Sequence, residues 1–335
     1  MKKYVGIDIS KATFWASFQH DDKPGFHSRN WDYKTEQDVQ MFVDHLKTAV
    51  FEPHCVMEAT GTYHLLLAHR LTEAGVAVSV INPMSFKNFV RMNNLITKTD
   101  KQDSITLAKF GESQKPDIFK PLSETILKLN QRRMILNNLQ EQRQRVLNQL
   151  EALNQYPEPD QFTQRMMQDA VIDLEDRIEK VNQSIKELVK KDYQDQVDLV
   201  MTIPGFGQTT STIFVETINA FVGLENDKSG KAFSKFIGLV PVVTHSGASV
   251  RGANCVCRTG APTLRNKLYL PVCTICTRTK EDTIFKKFYL KLKNNGKSSK
   301  EAIIAVMHKL IRIAVAVIRN NQPFDLQRYG KIQTK

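Results

Sequence analysis

The sequence predicts three successive architectures: an α/β domain over residues 1–118, an antiparallel coiled-coil hairpin over 119–195, and a mainly α, basic domain over 196–335. Three observations carry this reading. Short apolar runs with strand character alternate with helical periodicity as far as Ile81, the pattern of an α/β domain. Beyond Pro116 and Pro121 the apolar residues switch to alternating steps of three and four, the seam of paired helices. Positive charge then gathers in the last third. Residues 231–335 hold 20 Lys and Arg against four acids, whereas the 230 residues before them hold 27 against 31. Charge segregated in this way is the footprint of a polyanionic partner, nucleic acid foremost.

A chain of 335 residues that is 41% apolar and 24% charged can build more than one buried core. No apolar run reaches the roughly 18–20 residues of a membrane span, and Asp8 interrupts any signal-peptide core at the basic start. The expectation is a soluble cytoplasmic protein, nucleoid-associated when bound to DNA, with no membrane partner. Five cysteines, an odd number in a long chain, argue against a disulfide framework.

Taken in order, residues 3–9 and 13–19 read as strands around Ser10-Lys11, the first nearly all apolar and therefore central. Residues 36–48 read as a helix, 54–58 as a strand, 62–74 as a helix stopped by Gly75, and 76–81 as a strand closed by Asn82-Pro83. Leu129, Leu136, Leu139, Val146, Leu150 and Leu153 then form one helical stripe. The Pro157–Pro159 loop turns the chain into a second stripe of Met167, Val171, Leu174, Ile178, Val181, Ile185 and Leu188. Such a seam closes on itself or recruits a second protomer. Next, Pro204-Gly205-Phe206-Gly207 precedes a helix over 209–221, as in helix-hairpin-helix modules whose backbone N–H groups hold phosphate; a plain tight turn is the alternative. A polar loop over 244–260 and two helices, 263–279 and 299–319, complete the chain.

The chemistry lies in four carboxylates. Asp8 sits in a strand that otherwise reads as buried, and a lone buried carboxylate costs several kcal/mol unless it is paired or bound to a cation. Glu58 ends an apolar strand. Asp100 and Asp103, at i and i+3 of a helix start, share a face. Four hard oxygen donors suit Mg²⁺ or Mn²⁺ and not zinc, and ions so held can clamp the oxygens of a phosphodiester. Each acid also has a structural alternative: Asp100 as an N-cap, Asp103 as a partner of the helix dipole, Glu58 paired with a lysine.

The segments Tyr4-Val5-Gly6-Ile7-Asp8-Ile9-Ser10-Lys11, Met57-Glu58-Ala59-Thr60-Gly61-Thr62-Tyr63, Val80-Ile81-Asn82-Pro83 and Lys98-Thr99-Asp100-Lys101-Gln102-Asp103 resemble the N-terminal domain of transposases of the insertion sequence 110 (and 1111) family. Ile203–Gly207, Phe236–Pro241 and Ser246-Gly247-Ala248-Ser249-Val250-Arg251-Gly252 resemble its C-terminal domain. The resemblance covers nearly the whole chain in order. It implies an RNase H-like, RuvC-type domain in which Asp8, Glu58, Asp100 and Asp103 bind Mg²⁺. It also implies a C-terminal domain with a catalytic serine, Ser246, with Ser249 as the near alternative. Members of the family act as recombinases guided by a structured, bridge-type RNA that pairs with target and donor DNA. They assemble from dimers into tetramers whose active sites are shared between protomers. Where the family often has Ser-Ser, this chain has Ala248-Ser249.

On this reading Ser246 attacks a phosphodiester to give a phosphoserine link, and the covalent intermediate stores the bond energy for religation. Lys11, Gly205, Gly207, Ser249, Arg251, Arg258, Arg265 and Lys267 are the candidate nucleic-acid contacts, the arginines because their planar fork matches phosphate. Five further readings compete. Cys255, Cys257, Cys273 and Cys276 have the makings of a zinc site, though one intervening residue in the first pair is tight. His245 adjoins Ser246, but neighbours in sequence seldom aim both side chains productively. A junction-resolving nuclease would use the same acids with metal-activated water, and an architectural nucleic-acid protein would need none of them. An actin-like ATPase requires a later Asp-x-Gly loop, which the sequence lacks.

Overall fold

The computed structural model describes residues 2–20, 24–59, 61–95, 98–224, 229–242, 245–246, 250–251, 255–256, 260, 262–280 and 283–329. Backbone contacts divide the chain into two units, Met1–Pro121 and Leu122–Lys335.

The first unit is built on strands β1 (Lys2–Ile9), β2 (Thr13–Gln19), β3 (Phe26–Asp32), β4 (Glu52–Glu58) and β5 (Ala77–Ile81), with helices α1 (Glu36–Lys47), α2 (Tyr63–Glu73), α3 (Pro83–Met92) and α4 (Asp100–Gln114). The sheet order is β3-β2-β1-β4-β5. β1, β2 and β3 pair antiparallel, and β1, β4 and β5 pair parallel. This mixed five-stranded sheet is consistent with an RNase H-like domain. Val5, Ile7 and Ile9 face one core with Phe42, Leu67 and Leu71 of α1 and α2. Val56 and Ile81 face the other with Phe86, Phe89, Leu107 and Phe110 of α3 and α4. β1 is therefore covered on both sides, as its nearly continuous apolar run predicts. The polar edge strand β3, with Trp31 as its one buried side chain, and α3 are additions to the sequence reading.

On the α4 side the packing is unusually close. A Cβ on Gly6 would lie 2.0 Å from the carbonyl oxygen of Ser104 and 2.3 Å from the amide nitrogen of Ala108. The contact continues sideways through hydroxyls, with Ser17 Oγ 2.7 Å from both Ser104 Oγ and Ser28 Oγ. Small residues on β1, β2 and α4 thus let a helix backbone rest on a strand backbone.

The second unit opens with α5 (Glu124–Leu153) and α6 (Gln161–Asp192). Cross-contacts pair Thr125 with Asp192, Arg132 with Ser184, Arg143 with Glu175 and Asn154 with Gln164. One partner number rises as the other falls, so the helices run antiparallel. The seam is buried at its base, at Leu129, Leu136, Leu139 and Ile185, and only half-buried at Val146, Leu150, Leu153, Met167 and Val171. That base shares one core with α7 (Gln194–Met201), α8 (Gln208–Leu224), α9 (Gly230–Phe236), α10 (Pro262–Thr277), α11 (Ile284–Asn294) and α12 (Ser299–Asn320). The hairpin therefore grows out of the C-terminal core. Arg133 of α5 binds Glu216 of α8 through both carboxylate oxygens, at 2.6 and 2.9 Å, with Glu216 only 9% exposed. α9 and α11 are further helices beyond those read from the sequence, and the described residues of the predicted polar loop include three short strands, with a fourth, Pro241–Val242, just before it.

Four stability outcomes are expected. Arg133→Ala strands a buried carboxylate and should cost about 3–5 kcal/mol in urea unfolding. The exposed pair Arg143–Glu175 should contribute no more than about 1 kcal/mol. Gly6→Ala forces two backbones apart and should cost at least about 3 kcal/mol. Gly207→Ala, whose new Cβ meets nothing within 4 Å, should stay within about 0.5 kcal/mol.

Candidate functional site

The pairing of β1 with β4 aligns Ile7 with Met57, so Asp8 and Glu58 are neighbours at the carboxyl ends of adjacent parallel strands. Side chains alternate along a strand. Gly6, and with it Asp8, faces α4, and so do Val56 and Glu58. The Gly6 contact fixes α4 against the same strand end, which brings Asp103 and Asp100 of its first turn over the same rim. Ionisation registers the meeting. Asp8 is pushed up to about 7, first by burial, then by the charges of Asp103, Asp100 and Glu58, with Lys98 opposing. Glu58 is raised by burial and by Asp103, against Lys87 and Lys98. Asp103 is raised by burial and by Asp100, against Lys98.

The structural alternatives for these acids lose ground. Thr99 caps α4, its hydroxyl accepting from the Gln102 amide at 3.1 Å, so the Asp100 carboxylate is not needed as a cap. Lys87 stabilises the Glu58 charge by less than burial destabilises it. Among the described residues no three His, Cys, Asp or Glu side chains stand gathered around one point as a metal site. The donor set nonetheless fits a hard divalent cation: all oxygen, all carboxylate, and mutually destabilised in the way a cation relieves.

Sequence reasoning missed Lys87 and Lys98, which face the acids from α3 and from the segment before α4. The lysine of the Lys98–Asp103 run was the available signal. Lys11 is exposed in the β1–β2 turn.

In the second unit, Ser246 lies on a two-residue strand, His245–Ser246, paired antiparallel with Val250–Arg251. Pro241–Val242 pairs antiparallel with Cys255–Val256 in a separate two-stranded sheet. Ser249, Arg258 and Cys257 lie outside the described residues. Cys276 is buried and its thiol is pushed up to about 12 by burial and by Cys273, which leaves it a protonated core side chain. Arg265 gives its guanidinium to the carbonyls of Ile237 and Gly238, at 3.3 and 3.1 Å, while Lys267 is exposed. Gly205 adopts φ +95° with its Cα against Ile275, where a Cβ would come within 2.0 Å of Cδ1. Gly207 has open space around it, and both glycines line a groove of about 520 Å³ with Leu270, Pro271 and Thr274.

Acids at the ends of parallel strands in such a sheet, joined to a basic helical unit, define an enzyme that acts on nucleic-acid backbones. Similarity to known proteins narrows the class to DNA recombination. Residues 5–156 match a DEDD transposase family of IS110 elements, and residues 197–290 match the family described as Transposase IS116/IS110/IS902. The chain is 30% identical over 331 residues to the pilin gene-inverting protein of Moraxella bovis, covering 97% of this chain and 98% of that protein. The same figures hold for its Moraxella lacunata counterpart. The chain belongs to the IS110 transposase family. No helix among the described residues is long and apolar enough to cross a membrane.

The raised Asp8 carboxyl has a measurable consequence. Between about pH 4 and 7 the metal-free folded chain keeps a proton that the unfolded chain has released, so this group's contribution to stability falls as pH rises through that window and levels off above it. In chelator, Asp8→Asn should gain thermal midpoint on the wild type as pH rises to 7. An identical pH dependence for both proteins would place Asp8 outside the cluster.

Proposed function

We propose that this chain is an RNA-guided DNA recombinase that cuts and rejoins DNA through a serine nucleophile at a site organised by the four carboxylates. The observation that supports the reading is the position of Asp8 and Glu58 on adjacent strand ends and of Asp100 and Asp103 in the first turn of α4, with Asp8 raised by burial and by the charges of the other three. A divalent cation, Mg²⁺ by hardness with Mn²⁺ as substitute, would be held there and would supply charge neutralisation on the phosphate oxygens.

Ser246 Oγ attacks phosphorus. A serine–phosphorus bond forms, the bond from phosphorus to the 3′ oxygen breaks, and the departing 3′ oxygen takes up a proton as a hydroxyl. The serine proton passes to solvent or to a carboxylate. Attack by an exchanged 3′ hydroxyl reverses these steps, reforms the phosphodiester and frees the serine, so no external energy source is required. Arg251, Arg258 and Ser249 are placed by sequence to contact the phosphate, and Lys11, Lys267, Gly205 and Gly207 to hold the backbone further away. The exposed surface and unconstrained backbone space at Lys267 and Gly207 support those roles. The interaction of Arg265 with Ile237 and Gly238 favours a supporting part for that residue.

Guidance by a structured RNA is proposed on the family resemblance together with the basic excess of the last third. Assembly of dimers into tetramers is proposed on the same resemblance and on the hairpin, which exposes Phe162, Met166 and Ile172 at 73%, 56% and 64%. Two relatives carry the name of pilin gene inverters, which supports inversion of a chromosomal segment as one outcome of the same strand exchange.

The test incubates the protein with its RNA, donor and target DNA, and Mg²⁺, and traps protein–DNA adducts under denaturing conditions. Ser246→Ala should abolish the adduct and strand exchange. Asp8→Ala and Asp103→Ala should reduce exchange at least about a hundredfold while the chain stays folded. An adduct that persists in Ser246→Ala moves the nucleophile elsewhere, and hydrolysis without any adduct makes the chain a metal-dependent nuclease.

A further inference from the structure

The basic excess of the C-terminal third is not spread evenly. Residues 283–300 contain six lysines and no acid. The α6 helix, by contrast, mixes six basic with seven acidic residues and pairs Arg177 with Asp173 and Lys180 with Asp176. A surface kept only for solubility interleaves signs in the manner of α6.

The lysines cluster where α11 meets α12, and the turn between those helices is rigidly made. The Gly296 and Lys297 amides donate to the carbonyls of Lys293 and Leu292, at 3.0 and 3.1 Å, and close α11. Ser298 and Glu301 form a reciprocal capping box that opens α12. Phe285 and Tyr289 bury the opposite face of α11 in the core. Lys291, Lys297 and Lys300 are exposed on this fixed corner. Glu301, the acid at its edge, spends its carboxylate on the Ser298 amide and hydroxyl, at 3.0 and 2.8 Å.

Lys291 lies in the last turn of α11, where the helix dipole favours a cation. Lys300, in the first turn of α12, opposes that helix's dipole. Lys309, with its ammonium 4.9 Å over the Phe288 ring, is held below its ordinary range by burial and by Lys291. The corner lacks arginine, the residue that reads base edges and forks onto single phosphates. Lysine ammonium groups act as point charges with no planar fork, which suits a regular phosphate backbone and not a base sequence.

We propose that the α11–α12 corner, through Lys291, Lys297 and Lys300, docks the phosphate backbone of double-stranded DNA without reading its sequence. The inference rests on the DNA-recombinase reading and adds to it a surface remote in sequence from Ser246 and the acids, largely past the stretch matched by the family at 197–290.

The test measures binding of the full-length protein to a random-sequence duplex by fluorescence anisotropy across a salt series. The Lys291→Gln/Lys297→Gln/Lys300→Gln variant should lower the slope of log affinity against log salt by about 0.9 per lysine and weaken binding at least about tenfold at low salt. Lys180→Gln/Lys186→Gln/Lys190→Gln on α6 should change neither. An unchanged slope in the corner variant, or an equal loss in the α6 variant, overturns the proposal. A loss confined to double-stranded RNA does so too. Circular dichroism and thermal midpoint check that both variants fold. Because binding is read without strand exchange, a failed adduct assay with an intact slope change would strike only the recombinase reading, and the converse only the corner.

Discussion

Backbone lies on backbone where β1 passes beneath α4, and the position of the carboxylates depends on that contact. With the strand touching Ser104 and Ala108 at Gly6, the next residue on the same face, Asp8, must sit beneath the first turn of the helix. A larger side chain at residue 6 would lift α4, and Asp100 and Asp103 would rise with it. The serines around the contact serve the same end. Ser17 and Ser104 satisfy each other's hydroxyls in the interior, so the close approach leaves those two polar groups paired.

The electrostatic consequence is a site under tension. Burial is the largest part of the penalty on Asp8. The charges of Asp103, Asp100 and Glu58 add to it and take the group to about 7. Lys98 softens it without cancelling it, and Lys87 together with Lys98 does the same for Glu58. Asp8, Glu58 and Asp103 are all raised above their ordinary range, the direction that an added cation would relieve. Asp38 provides the contrast. It is an exposed capping residue lowered by the hydroxyl and amide of Thr35, and it assists the helix it opens.

Much of this was legible in the sequence wherever a local pattern expresses the physics. β1 showed as an apolar run broken only by Asp8 because both its faces are covered. α6 showed its steps of three and four because one face meets α5. What escaped has no local pattern. β3 is an edge strand whose residues mostly face water, so alternation is weak. α11 carries so many lysines that its buried pair, Phe285 and Tyr289, hardly stands out. The hairpin looked like a separate domain because its stripe is continuous, whereas the base of that stripe merges with the C-terminal core through residues over 50 positions away. For the site, acid identity and spacing were readable, and Thr99 as the cap was within reach. The Gly6 contact was not, since it depends on a helix about a hundred residues downstream.

The two glycines of the Pro204–Gly207 turn show how structure divides one motif into two kinds of constraint. Gly205 is required by the chain itself, because its φ of +95° and the Ile275 side chain leave no room for a Cβ. Gly207 has neither constraint, so nothing inside the unit explains its lack of a side chain. It lies before α8 in an open groove, where bare backbone can be approached by something from outside. Gly205 shapes the turn, and Gly207 leaves one side of it accessible. The same distinction holds between Arg265, which is engaged with backbone carbonyls, and Lys291, Lys297 and Lys300 of the α11–α12 corner, which are exposed to solvent. A basic residue engaged with carbonyls of its own unit supports the fold, and one held in solvent on a capped turn is open to a partner from outside.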